Sequence, residues 1–469
     1  MTWDDVYILR NEILLTLLVL YQLIADLSEG KDNRNLVNGT LFGFALITAA
    51  GIIPTGTSSL FGGMFLSDPL RNLLKFILNL STLIILLQSA AWLRKPENQS
   101  KTGAFYMLIF STLMGMSFMI SSGNFLMLYL GLETATLPLT LLAAFDKKLR
   151  RSAEAGIKLL MSSAVSSSVL LMGLSLLYGS YGTLYFTEMA PMTNALPLSV
   201  FGLVLFIAGF GFKLSLVPFH LWTADVYEGA PLPVTMYFSV VSKGAALFTL
   251  MLVLYNVFIL EPRSWTMAAY FLSVATMVVG NLFALRQKNL KRFLAFSSIT
   301  QAGFMMLGFV NSENLGMTTV IYFMLIYALS NLAVFGVLSM VVNATGKENI
   351  EDFNGFYQTN PRLSLIMLLA LFSLAGIPPV AGFFGKFFLF TAAAAQGFYI
   401  LVFIAVINAT ISLYYYLLVV KAMFINKNEA PIARLQSTWQ EKLAFALCLT
   451  GIAFIGFVSG IYDFVSRLM

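Results

Sequence analysis

Residues 198–219 read LSVFGLVLFIAGFGFKLSLVPF, an apolar run with one charge, Lys213, and a proline, Pro218, near its end. As a helix rising about 1.5 Å per residue, a run of about 20 apolar residues crosses the hydrocarbon core of a bilayer. This stretch therefore predicts a membrane helix broken by proline, with a lysine held in lipid. The rest of the chain has the same character. Of 469 residues, 58% are hydrophobic and 11% are charged, against roughly 25% charged in a soluble domain. Mean hydropathy is +0.83. The expected fold class is an all-α polytopic membrane protein, and no polar stretch is long enough for a separate soluble domain.

Working outward, fourteen runs are long and apolar enough to span: 8–27, 36–54, 70–93, 104–121, 123–145, 155–178, 198–219, 231–258, 266–285, 292–311, 315–343, 361–396, 397–424 and 441–466. The 361–396 run is too long for one simple span. Gly376, Pro378, Pro379 and Gly382 interrupt it, so it reads as a second discontinuous helix. With the N-terminus outside, loops on the cytoplasmic side hold nineteen of the 28 Lys and Arg residues, including Lys147, Lys148, Arg150 and Arg151. The opposite side holds only Arg10, Arg71, Arg263 and Arg467. That bias predicts both termini outside, and it accounts for the net charge of +6 without an anionic partner. The opening MTWDDVYILRNE is acidic, unlike the basic start of a cleaved signal peptide.

The two broken runs hold the same rank in two consecutive sets of five. The expected organisation is three N-terminal helices over 1–103, a five-helix unit over 104–258, a second over 259–424, and a loop and last helix over 425–469. Five is odd, so consecutive units insert with opposite topology. Paired broken helices in inverted units mark a midplane ion or substrate site.

One cysteine, Cys448, and one histidine, His220, leave too few ligands for an iron–sulfur cluster, bis-histidine haem or a multi-histidine metal site. No redox cofactor or metal is expected in this chain. The GxG of GFGFKL lies inside a span and is no nucleotide loop.

The five remaining basic residues, Lys75, Lys158, Lys213, Lys243 and Lys386, fall inside predicted spans. A central lysine costs about 2.5–3.5 kcal/mol on insertion scales unless it snorkels to an interface. Lys213, Lys243 and Lys386 are too deep to snorkel easily, and a functional role is the better reading of each. Lys75, close to Asp68–Pro69, reads as an interfacial snorkeller or half of a local ion pair. Glu133, midway along its span, either neutralises a lysine or works with it. Glu154 and Lys158 share a helix face at i, i+4, as an ordinary helix pair or as accessory groups. Glu12 is ambiguous. His220 is a relay or a satisfied structural histidine. Desolvation favours a neutral lysine and a nearby carboxylate favours the charged form, so a changing Glu–Lys distance loads or unloads a proton.

Three motifs carry a family resemblance. GFKLSLVPFHLWTADVYEGAPLPVTMYFSVVSKGAALF at 211–248 closely resembles the antiporter-like proton-pumping subunits of respiratory complex I, as do RFLAFSSITQAGFMMLG at 292–308 and GIPPVAGFFGKFFLF at 376–390. With Glu133, the resemblance spans nearly the whole chain. It implies a Glu133–Lys213 charge pair, Lys243 as central proton carrier, Lys386 as terminal carrier and His220 as a connection within the broken helix, with Glu154 and Lys158 at charged positions of span six. A lysine at 386 and the absence of a lateral C-terminal helix resemble the subunit N branch. Gln301 departs from the pattern, standing where relatives often have histidine, so water or Ser297–Ser298 would have to substitute. The resemblance implies NADH, FMN, iron–sulfur clusters and quinone in other subunits, partners among the membrane subunits of complex I, no nucleic acid, and a bacterial inner (plasma) membrane location. A subunit of a multi-subunit sodium/proton antiporter or of a membrane-bound hydrogenase shares the motifs. A solute symporter and a structural spacer are more distant alternatives.

Overall fold

The computed structural model describes residues 3–28, 34–193, 196–458 and 460–469. Among the described residues the main helices follow one another as α1 (Arg10–Ser28), α2 (Arg34–Ala50), α3 (Pro69–Leu93), α4 (Thr102–Ile120), α5 (Phe125–Ala143) and α6 (Arg150–Tyr181). Next come α7a (Pro197–Leu214), α7b (Leu221–Gly229), α8 (Leu232–Asn256), α9 (Pro262–Ala284), α10 (Leu290–Gly308) and α11 (Asn314–Thr345). The series ends with α12a (Pro361–Ala375), α12b (Ala381–Ala395), α13 (Tyr399–Phe424) and α14 (Trp439–Phe457). Ten of these helices are long and apolar enough to cross a membrane by length and composition, and α12a and α12b are shorter apolar halves. Among the described residues, the only sheet is a hairpin of β1 (Ser58–Leu60) and β2 (Phe65–Ser67).

Both expected breaks are present. The seventh span continues beyond its expected end at 219, because α7b runs on to Gly229. His220, Asp225 and Glu228 disguise that half-helix in the sequence, since their polarity ends the apolar run. Helices α6 and α11 outrun their apolar stretches for a related reason. Their polar ends, such as Arg150–Arg151 and Thr345, are outside the hydropathy signal but still helical.

The chain separates into two compact units. The first is Met1–Phe210 with Gly229–Tyr237 and Val241–Pro262, and the second is Gly211–Glu228 with Phe238–Val240 and Arg263–Met469. In the first, α4 and α5 cross backbone to backbone. A Cβ on Gly115 would lie 2.5 Å from the Ala135 nitrogen and 2.7 Å from the Gly131 oxygen. In the second, α11 is the central helix, 89% buried along its apolar window, with α10, α12a, α12b and α14 packed on it.

The two units repeat one local design. Asn124 caps α5 by accepting from the Met127 N–H, and Asn289 caps α10 by accepting from the Lys291 and Arg292 N–H groups. Phe125 N–H donates to Leu184 O and Phe186 N–H to Gly123 O. Likewise Leu290 N–H donates to Glu348 O and Ile350 N–H to Lys288 O. Helices α6 and α11 are both 32 residues long and both end on a left-handed glycine, Gly182 and Gly346. Each broken helix follows next in order.

Candidate functional site

The best-defined buried charge is Lys386. Helix α12a ends at Gly376, whose φ of +85° turns the chain, and α12b restarts at Ala381. The last carbonyls of a helix have no intrahelical donor and carry the negative end of its dipole. Lys386 Nζ donates to the Ala375 carbonyl at 2.8 Å and stands 4.6 Å from the centre of the Phe304 ring. The residue is 4% exposed. A side-chain amine is therefore seated at the freed end of a half-helix, where broken-helix transporters seat their coupling ions.

Gln301 reaches the neighbouring carbonyl. Its Nε2 donates to Leu374 O at 3.0 Å and to the Tyr416 hydroxyl at 3.1 Å. Ser297 Oγ and the Tyr416 hydroxyl lie 2.5 Å apart. Gln301 Oε1 is buried with no partner among the described residues. Of the Ser297–Ser298 substitutes considered for the missing histidine, Ser297 is thus tied to Gln301 through Tyr416. Nothing in the sequence singled out Tyr416, which looks like one more aromatic residue of an apolar span.

At the other break, Lys213 is the next-to-last residue of α7a, half-buried, with Nζ 5.9 Å from the Phe212 ring centre. Ser215 then turns with φ of +60°, a conformation sparsely allowed for residues other than glycine. The freed Phe212 carbonyl accepts from Trp222 Nε1 at 3.1 Å and from Ser215 N–H. His220 is 8% exposed, and its Nδ1 has no partner among the described residues. One turn into α7b, Asp225 and Glu228 both accept from Arg292 Nη1 at the start of α10, at 2.9 and 2.7 Å. The pairing is not legible in the sequence, where 67 and 64 residues separate Arg292 from the two carboxylates.

Lys243 and Glu133 belong to the first unit. Lys243 is 1% exposed and follows directly on a π-helical segment, Phe238–Ser242, in the middle of α8. Such segments free backbone groups and recur at functional sites. Glu133 is half-buried on α5, and its Oε1 is buried without a hydrogen-bond partner among the described residues. Five residues later, Pro138 inside the same helix deprives the Thr134 carbonyl of its donor.

The remaining candidates divide. Glu154 and Lys158 form the expected i, i+4 pair at 2.7 Å, with side chains 54% and 41% exposed. Lys75 is half of an ion pair, though not with a neighbour in the sequence. It is 5% exposed and bonded at 2.5 Å to Glu12, 63 residues earlier in the chain. Helix packing brings the two together, and sequence proximity could not have indicated it.

A family model described as NADH:quinone oxidoreductase/Mrp antiporter, TM, matches residues 122–412. The chain belongs to this family. Among its relatives, NADH-quinone oxidoreductase subunit N of Phocaeicola vulgatus is 50% identical over 409 residues, covering 87% of each chain. The subunit N of Azobacteroides pseudotrichonymphae is 49% identical over 97% of this chain and 95% of its own. A chain of respiratory complex I from Thermus thermophilus superposes with a TM-score of 0.81 at 29% identity, covering 96% of this chain and 98% of that one. A chain of the Mrp complex from Dietzia superposes at 0.87 with 19% identity, which speaks for the fold alone. The matched segment of this antiporter family takes in Glu133, Lys158, Lys213, His220, Lys243 and Lys386. It leaves Glu12 and Lys75 outside.

Proposed function

We propose that this chain is the proton-translocating, subunit N-type membrane subunit of a bacterial NADH:quinone oxidoreductase, with Glu133, Lys213, Lys243, Lys386 and His220 carrying the protons. The observation that carries this reading is Lys386, a lysine buried in an apolar helix and bonded to the terminal carbonyl of the preceding half-helix. Carbonyl and dipole favour the ammonium, while burial favours the neutral amine. These opposed influences act on one proton, and a change in nearby charge shifts the balance between the two forms. Lys243, buried in the middle of α8, is the central carrier. Glu154 and Lys158 are accessory groups at the start of α6.

The chain itself does no redox chemistry on this reading. NADH, FMN, iron–sulfur clusters and quinone belong to the other subunits of the complex, whose redox steps set the charge changes felt here. The basic loops, nineteen residues against four, support a plasma-membrane orientation with both termini outside.

Purification from native membranes by a tag on this chain tests the assignment. The expected preparation oxidises NADH with quinone, contains flavin and iron–sulfur signals, and acidifies one side of sealed vesicles. A preparation without flavin and iron–sulfur signals, but with cation-coupled proton exchange, would assign the chain to an Mrp-type antiporter instead.

A further inference from the structure

The N-terminal helices hold a buried polar cluster that the proton carriers above do not use. Lys75 on α3 and Glu12 on α1 form an ion pair at 2.5 Å, with side chains 5% and 6% exposed. Phe65 of β2, itself fully buried, places its ring 4.8 Å from Lys75 Nζ. One turn along α3, Asn79 Nδ2 donates to Asn11 Oδ1 at 2.8 Å, and Asn11 Nδ2 donates to Ser117 Oγ of α4 at 3.1 Å. Two acceptors in the cluster, Glu12 Oε2 and Asn79 Oδ1, are buried and without partners among the described residues.

Buried polar atoms of this kind are ordinarily satisfied by protein or by ordered water. An ammonium has three N–H groups, and here one meets a carboxylate and the ring takes another direction. The third, with the two open acceptors, makes a site for bound water. Such a site differs from a simple strut. A proton can leave Lys75 Nζ along the short bond to Glu12 Oε1, giving a neutral amine and a neutral acid. Rotation of the neutral carboxyl group then carries that proton round to the water, where the acid releases it and recovers its charge. No other reactant is needed.

The cluster also has a neighbour to serve. Ser117 lies on α4, and five residues before it Thr112 Oγ1 donates to the Tyr237 hydroxyl at 2.8 Å. Tyr237 is on α8, the helix of Lys243, and all these residues belong to the first unit. We propose that Glu12 and Lys75 form an additional proton-holding pair, which exchanges protons through bound water with the first unit's carrier helix. This inference rests on the proton-translocating reading above.

Two variants in the assembled complex test it, with protons translocated per NADH oxidised measured in proteoliposomes. Lys75→Arg keeps the ion pair and the cation beside Phe65, but a guanidinium does not give up its proton. Glu12→Leu combined with Lys75→Met removes both charges and leaves neither stranded, a change that buried ion pairs often tolerate. The expected result for both is wild-type assembly and NADH oxidation with fewer protons translocated. A wild-type ratio in both variants overturns the proposal, because a structural pair would give that result. Failure of both to assemble also overturns it, since a role in the fold then accounts for both charges. Failure of the underlying reading is separate: the unmodified complex would then move no protons at all.

Discussion

At the scale of single residues, the informative feature is an ionisable side chain buried within an apolar helix at a cost. Replacing Lys386 by Met keeps an unbranched side chain and removes both the donor to the Ala375 carbonyl and the amine over the Phe304 ring. The expected outcome is an assembled complex with proton translocation reduced several-fold, measured by dye quenching in proteoliposomes. A neutral side chain that left translocation intact would show the lysine to be only a cap for α12a. Lys386, Lys243 and Lys213 were legible in the sequence because lysines are so rarely placed in a membrane without a reason. Their partners were less so. Glu12 meets Lys75 across 63 residues, and Asp225 and Glu228 meet Arg292 across 67 and 64 residues. Only the packing of helices creates those pairs, and no periodicity in one helix foretells it.

At the scale of elements, the breaks depend on small residues at close approaches. A Cβ on Gly382 would lie 1.6 Å from the Ser373 carbonyl oxygen, so the first turn of α12b cannot move away without opening the break. Gly382→Ala is expected to destabilise the protein by about 3 kcal/mol or more, at the severe end for overpacking. The measurements are the yield of assembled complex and its thermal inactivation. Gly115→Val should likewise separate α4 from α5, the helix of Glu133, because the backbone of α5 lies within 3 Å of the added Cβ. The expected signature is loss of assembly, visible as free or degraded chain on native gels. The prolines announced both breaks in the sequence. The extent of α7b could not be read there, since hydropathy stops where His220 and two carboxylates begin.

At the scale of the whole molecule, the repeat was visible only faintly in the sequence, as two broken helices of equal rank. The matching Asn124 and Asn289 caps and the paired backbone bonds beside them reveal it far more clearly. Those features are backbone geometry, which diverged sequences need not advertise. The proposed orientation rests on the charges of the loops and is open to a direct check. Cys448 is the only cysteine and is buried, so Cys448→Ser gives a silent background. In it, a cysteine replacing Lys148 is expected to react with a membrane-impermeant maleimide only from the cytoplasmic side. One replacing Arg263 should react only from outside. Labelling with the sides exchanged would invert the proposed topology.

The central claim is that protons cross through buried lysines of this chain, and Lys243 tests it most directly because it lies midway along α8 and is 1% exposed. The decisive measurement is protons translocated per NADH oxidised by the reconstituted complex bearing Lys243→Ala, with assembly confirmed on native gels. The account predicts an intact complex whose ratio falls well below wild type. An assembled Lys243→Ala complex with the wild-type ratio would contradict it.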